Sequence, residues 1–462
     1  MVVHSRTPSL TSALPAPSFF RRRVVIVVLC FLTVAYVFYH QLHISPISSS
    51  SSSLPLISIL PSAGDREPSV SVSELINVVQ KELEALQRPY LSQGSWEEDR
   101  EQLGIKLGES GDDLNLEGYR RRIQKSLKEF FLHENLSPPS MATTTAPTTE
   151  ALPSLPSGTI SSTKMPYWSS LMDQHLYLDR IPEPDALLKQ IYTTSYDTRL
   201  PDQFKGWKTV NPSWDIRFLS DDALNTWAEN EKRIGAVKAD LFRYLVLLYR
   251  GGVYTDIDTA CVRPIEEWGK TDMEDKTAGI FRVVPKLASL WNPNGDKPSK
   301  VSVNMKPTVL PPPSLVVSIE HDSLQSDSNW RALTFGRGLQ IVQWTLAAAP
   351  GHPIMVDAVS SALRTSTKYR KALAASKNGG KDVPFPDILE WTGPALLSDC
   401  VFRYLFARYG VTPRQLSGNK HPIRVGDVLI LPSRSFQADI SEYTTGQQDS
   451  VWHGFFGRWK EN

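Results

Sequence analysis

Residues 236–258 read AVKADLFRYLVLLYRGGVYTDID, and no other stretch restricts the fold so tightly. The first fourteen residues predict a helix, since apolar positions recur at helical spacing up to Tyr249. Gly251 and Gly252 stop it, as glycine does at helix ends. Val253 and Tyr254 then open a strand that ends near Asp258. Such a helix-to-strand joint belongs to an α/β layer. Further strands are expected at 189–193, 215–219, 280–284, 315–319 and 428–431. Helices are expected from Ser220 to about Asn230, over 338–349, and from Pro394, a residue suited to the first helical turn. This alternation predicts an α/β domain over 166–462 with a largely parallel sheet. Ligands of such sheets bind beyond the carboxyl ends of the strands.

The rest of the chain is unlike this domain. The 462 residues carry a formal net charge of +1, which argues against a general nucleic-acid binder. Three cysteines exclude a disulfide scaffold and a Cys-rich zinc module. Residues 1–23 contain Arg6, Arg21, Arg22 and Arg23 and no acid. Residues 24–39, VVIVVLCFLTVAYVFY, carry no charge and end in aromatic residues suited to a membrane interface. They read as an uncleaved signal anchor, a single transmembrane helix with the basic tail in the cytosol. No small-residue cleavage site follows, so a signal peptide fits less well. The short span suits a thin membrane of the early secretory pathway.

Residues 40–165 read as a stalk. They hold a polyserine run at 48–53 and a Pro/Thr/Ser-rich linker at 138–164. Two amphipathic helices interrupt it. Ser71 and Glu74 have capping-box spacing, followed by Leu75, Val79, Leu83 and Leu86. Leu116, Tyr119, Ile123, Leu127 and Phe130 form the second stripe. These helices can pair, drive self-association or dock on the main domain, and plain packing is the expectation. One glycosylation sequon, Asn135-Leu-Ser137, is followed by an unfavourable Pro138.

The chemistry concentrates at Asp256-Ile-Asp258. Residues i and i+2 of a strand face one way, so both carboxylates address one site while Ile257 turns into the sheet. Paired carboxylates at a strand end suit Mg²⁺ or Mn²⁺ held jointly with substrate phosphates. The cation also reverses the repulsion between carboxylates and an anionic nucleotide donor. A lone D-x-D is expected about once by chance in a chain of this length. Its setting matters more. Asp240 and Arg243 share a face of the preceding, otherwise apolar helix at i,i+3 spacing. They form either a buried structural ion pair or a pair that reaches the donor.

At this point the sequence resembles the initiation-specific α-1,6-mannosyltransferases of fungal N-glycan outer chains, within glycosyltransferase family 32. The resemblance covers about 280 residues. It rests on LLKQIYTT at 187–194, NPSWDIRFLSDD at 211–222, the 238–268 run, LVVSIEHD at 315–322, GLQIVQWTLAAAPGHP at 338–353, EWTGPALLSDCVFRYL at 390–405, VGDVLILP at 425–432 and VWHGFFGRWK at 451–460. It implies a GT-A fold, a GDP-mannose donor, Mn²⁺ and retention of the anomeric configuration. By the same resemblance Asp240 and Arg243 contact the donor, Asp256 contacts the ribose or the metal through water, and Asp258 binds the metal directly. His453 corresponds to the C-terminal histidine near the metal. Gly457-Arg458 departs from the family pattern, which more often has glycine and a small residue there.

Other positions carry weaker expectations. Glu320 and Asp322 follow a strand, so Asp322 either sits at the edge of the site, touching donor or acceptor sugar, or forms a turn. Trp391-Thr392-Gly393-Pro394 opens a helix whose amides either face phosphate or simply begin the helix. His352 reads as a turn residue. Cys261 and Cys400 lie in a compartment that permits a disulfide, though the sequence does not bring them together. The expected activity is transfer of mannose from GDP-mannose to an N-linked high-mannose glycan by a Golgi type II membrane protein. An inositol phosphoceramide mannosyltransferase and a non-catalytic subunit of a mannan polymerase complex are the alternatives.

Overall fold

The computed structural model describes residues 69–70, 72–108, 114–131, 189–195, 201–220, 235–270, 273–276, 301–302, 312–326, 329–438 and 450–454. The basic tail, the apolar segment 24–39, the polyserine run, the sequon, the 138–164 linker, the helix after Ser220, the strand at 280–284 and Gly457-Arg458 lie outside the described residues. Among the described residues no helix is long and apolar enough to cross a membrane.

A nine-stranded sheet carries the domain. Its strands are β1 (Gln190–Ser195), β2 (Asp215–Ser220), β3 (Gly252–Thr255), β5 (Glu274–Asp275), β6 (Leu315–Asp322), β7 (Leu339–Ile341), β8 (Thr345–Ala348), β9 (Ile423–Val425) and β10 (Val428–Leu431). They run in the order β2-β1-β3-β8-β6-β10-β9-β5, with β7 paired to β6. A second sheet joins β4 (Thr259–Cys261), β12 (Val451–His453) and β11 (Phe436–Ala438).

The sheet is mixed, which corrects the expectation of a largely parallel one. The β1 strand runs parallel to β2 and β3, and β10 parallel to β6. Between these groups lies β8, antiparallel to both β3 and β6. The helix expected over 338–349 is replaced by β7 and β8. The residues from Leu339 to Ala349 are buried, Gln340, Gln343 and Thr345 among them, so no exposed face marks a period and the run satisfies helical and extended patterns alike.

The helices flank the sheet. They are α4 (Asp202–Val210), α5 (Gly235–Arg250), α6 (Pro353–Ala375) and α7 (Pro394–Tyr409). The α5 helix matches the sequence reading to within a residue, and α7 begins at the expected proline. The α6 helix was not foreseen. His352, read as a turn residue, caps it by accepting the Ile354 N–H on Nδ1 at 3.2 Å.

The two N-terminal amphipathic stretches are α1 (Val72–Ser92) and α3 (Leu116–Ser126), separated by α2 (Ser95–Leu103). They dock on the main domain. Tyr119, Ile123, Leu127 and Phe130 are buried as the stripe predicts, and Tyr119 meets Tyr404 edge-on at 5.9 Å. Gln87 donates to the carbonyls of Phe406 and Ala407. The backbone between α2 and α3 is clasped as well. Asp399 accepts the Lys106 N–H at 2.9 Å, and Arg403 donates to the carbonyls of Lys106 and Leu107. Asp357 at the base of this dock is fully buried between Arg122 and Arg403. Burial alone would raise its carboxyl, but the two guanidiniums hold it down at about 2. Residues 72–108 and 114–131 thus pack as a structural part of the domain rather than as free stalk. Cys261 and Cys400 are both buried free thiols, so no bridge joins them.

Candidate active site

Four separate elements converge on Asp256-Ile-Asp258. The tripeptide is a turn between β3, which ends at Thr255, and β4, which begins at Thr259. The two carboxylates therefore come together through a turn, not through strand alternation. Ile257 packs against the core, as expected of the residue between them. The turn is fixed by hydroxyls beneath it. Thr259 Oγ1 donates to the Asp256 carbonyl at 2.7 Å and lies 2.8 Å from Thr255 Oγ1, which in turn lies 2.6 Å from Thr345 Oγ1. The Asp256 N–H donates to the Trp344 carbonyl at 2.8 Å. Such buried polar groups stabilise only when satisfied, and here they set one backbone path.

The second sheet delivers His453. In the antiparallel pairing of β12 with β4, His453 stands opposite Thr259. The Gly454 N–H donates to the Asp258 carbonyl at 2.9 Å, and His453 Nε2 lies 3.1 Å from Asp258 Oδ1. The ring stacks on Trp344 with centroids 4.5 Å apart. One ligand atom from each of Asp256, Asp258 and His453 lies within 4.8 Å of the other two. Two carboxylates and an imidazole form a donor set compatible with Mn²⁺ or another divalent ion. The residues therefore fit a metal at the place where the sequence reading put one.

The helix α5 supplies the third part. Arg243 donates to Asp240 Oδ1 at 2.8 Å and to Asp256 Oδ1 at 2.9 Å, and its guanidinium lies 4.6 Å from the centre of the Tyr254 ring. The two readings of the Asp240–Arg243 pair thus meet in one object, a buried ion pair that also grips the D-x-D turn. Burial raises the Asp240 carboxyl, and Arg243 opposes that rise. Charged groups taken out of water this way cost several kcal/mol each unless well paired. Asp256 is shared with Arg243, whereas Asp258 faces His453. That division suits direct metal ligation by Asp258 and a bridging role for Asp256.

The Trp391-Thr392-Gly393-Pro394 motif begins a helix, as one of the two expectations has it, and also reaches the site through Thr392. Thr392 Oγ1 donates to Asp240 Oδ2 at 2.9 Å. The Thr392 and Gly393 N–H groups donate to the Ile388 carbonyl, so these two amides are spent locally. The Thr392 carbonyl accepts from Tyr244 and from Gln343. Thr392 orients a carboxylate rather than presenting its amide to phosphate.

Asp322 is not among the residues whose ligand atoms cluster, and it takes the turn role, Oδ1 accepting the Leu324 N–H at 3.2 Å. Both of its oxygens accept from Ser417 Oγ, at 3.0 and 2.9 Å, and Oδ2 also accepts the Gly418 N–H at 2.8 Å. A register shift between Ile319 and His321 breaks the regular pairing of β6 with β7. Such bulges re-aim side chains, and Glu320 and Asp322 part company here. Glu320 was named in the sequence beside Asp322, and Thr392 within the motif at 391–394, but Trp344 and Gln343 were not singled out as parts of the site. Only their position in matched stretches marked them.

The comparisons with known proteins agree with this geometry. The glycosyltransferase sugar-binding region containing the DXD motif matches residues 187–274, which span β1 to β5. The initiation-specific alpha-1,6-mannosyltransferase of Schizosaccharomyces pombe is 27% identical over 315 residues, covering 63% of this chain and 68% of that protein. The protein of the same name from Candida albicans is 30% identical over 253 residues, covering 49% and 54%. The one from Saccharomyces cerevisiae is 24% identical over 395 residues, covering 62% and 80%. The solved PaToxG glycosyltransferase superposes only loosely, at a TM-score of 0.26 and 11% identity over 48% of this chain and 73% of that one. Residues 187–274 thus match the DXD-containing sugar-binding region, and the chain is similar to the initiation-specific α-1,6-mannosyltransferases of three fungi.

Proposed function

We propose that the protein transfers mannose from GDP-mannose to a mannose hydroxyl of an N-linked high-mannose glycan, forming an α-1,6 linkage with retention. The observation that carries this reading is the convergence of Asp240, Arg243, Asp256, Asp258 and His453 on one turn. Asp256, Asp258 and His453 there lie close enough to share one cation, which would offset the repulsion between carboxylates and a bare nucleotide. Asp258 and His453 would hold Mn²⁺, with Asp256 adding a contact directly or through water. The ion supplies charge for the departing diphosphate. Arg243 keeps Asp256 in place and brings a fixed positive charge to the donor side. Thr392 and Gln343 hold Asp240 and its surroundings in one rotamer, so the donor pocket needs little reorganisation. The names of the relatives support mannose as the transferred sugar.

The membrane placement belongs to the same proposal. Residues 24–39 anchor the chain in the Golgi as a type II protein, and the catalytic domain lies in the lumen. The full-length protein in detergent, incubated with GDP-mannose, Mn²⁺ and a high-mannose oligosaccharide, should yield a product extended by α-1,6-mannose. Transfer to inositol phosphoceramide instead, or binding of GDP-mannose without transfer, would refute the acceptor or the activity respectively.

A further inference from the structure

The β6 strand brings a third carboxylate to the same edge of the sheet. Antiparallel pairing puts the end of β3, the start of β8 and the end of β6 together, since Thr345 pairs with Thr255 and β8 runs opposite to β6. Trp344, just before β8, therefore sits between the D-x-D turn and Glu320. Two strand spacings separate β3 from β6, about 10 Å at the backbone. Glu320 is not one of the three residues whose ligand atoms cluster within 4.8 Å. It stands one layer out, past the Trp344–His453 stack.

Its carboxylate is held as a functional group would be. Gln340, 2% exposed, donates from Nε2 to Glu320 Oε2 at 2.6 Å. The same side chain accepts the N–H groups of Gly336 and Arg337 on Oε1, at 2.8 and 3.1 Å. Gln340 therefore cannot flip without losing contacts at both ends, and Glu320 is fixed through it. Arg337, which follows, is locked by Glu390 and Asp399. Glu320 itself is only part-buried, so it is open toward solvent on one side. Burial raises its carboxyl, while Gln340, the His453 ring and the Trp344 indole oppose the rise. A part-buried carboxylate at a bulge, held by a buried amide, costs stability that packing alone does not explain.

We propose that Glu320, and not Asp322, is the catalytic carboxylate that β6 contributes, contacting the transferred sugar on the side away from the diphosphate. This rests on the nucleotide-sugar reading above. In the transfer, the bond from the sugar C1 to the phosphate oxygen breaks and its electron pair leaves with the nucleotide. A bond from C1 to the acceptor oxygen forms, and the acceptor hydroxyl proton passes to an oxygen of the departing phosphate. Positive charge builds on C1 and the ring oxygen in between. Ionised Glu320 offsets that charge and is unchanged at the end.

The test compares full-length wild type with Glu320→Gln, Glu320→Asp and Asp322→Asn. E320Q keeps an oxygen to accept from Gln340 and removes the charge. Its kcat should fall about a hundredfold. Its GDP affinity in Mn²⁺, read by calorimetry, and its melting temperature should match wild type. D322N should keep its kcat within about twofold, the scatter expected of a site outside the chemistry. If E320Q does not fold, E320D decides: it retains the charge at a shorter reach and should transfer measurably but below wild type, with GDP affinity unchanged. An E320Q kcat near wild type, a fully active E320D, or a loss of GDP·Mn²⁺ affinity in proportion to kcat would overturn the assignment. A wild type that uses another nucleotide sugar refutes the donor proposal alone, and the variants are then compared on that donor. A wild type that transfers from no nucleotide sugar refutes both.

Discussion

Two clusters of buried charge invite comparison. At the N-terminal dock every carboxylate is matched: Asp357 lies between Arg122 and Arg403, and Asp399 and Glu390 share Arg337. At the D-x-D turn Arg243 pairs with Asp240 and Asp256, and His453 faces Asp258. The first arrangement joins two parts of the chain. In the second, ligand atoms of Asp256, Asp258 and His453 lie close enough to share one cation, the condition expected of a site that takes up a cation with its ligand. The two clusters therefore differ in what their carboxylates are placed to hold.

The largest expected effect breaks the contrast at the turn. Asp258→Asn should lower transfer about a thousandfold, roughly 4 kcal/mol of transition-state stabilisation, with little change in melting temperature. Steady-state kinetics beside thermal unfolding checks this. Asp357→Asn breaks the other side of the contrast. It leaves two guanidiniums facing a neutral amide, which should cost about 3–5 kcal/mol of stability. Denaturant unfolding should show that loss while kcat of the folded protein stays near wild type. Asp322→Asn tests the assignment of that residue as a loop clamp. It should cost about 1–2 kcal/mol through the contacts to Ser417 and Gly418.

A pH series sharpens the comparison at smaller scale. Asp357 and Glu390 are both held at about 2, the first by Arg122 and Arg403 and the second by Arg337 and Lys106, each against burial that would raise it. Folded values below the unfolded ones mean the stabilisation is complete above the unfolded values, near 3.8 and 4.5. It is lost as pH falls from there to about 2. Unfolding free energy should drop across that window in wild type and drop less in D357N.

Much of this arrangement is legible in the chain. The 236–258 run names its helix, its glycine stop, its strand and its carboxylates, because each is a local signal. The helix from Pro394 is local in the same way. The misread region, 338–349, is buried from Leu339 to Ala349 with no exposed face, and only its pairing with β3 and β6 decides that it is extended. The two readings of Asp322 could not be separated for a related reason. A bulge at residues 319–321 turns Glu320 and Asp322 to different partners, and no pattern in LVVSIEHD announces it. His453 lies far along the chain from Asp258, so its approach depends on β12 finding β4. The resemblance to known sequences marked that position; the residues alone did not.

The central claim is that the turn at Asp256 and Asp258 requires a divalent cation to work. Mannose transfer from GDP-mannose by protein stripped with a chelator, then titrated with Mn²⁺, tests it directly. The account predicts that activity vanishes on stripping and returns with Mn²⁺ in wild type, and does not return in D258N. Undiminished transfer in excess chelator would contradict it.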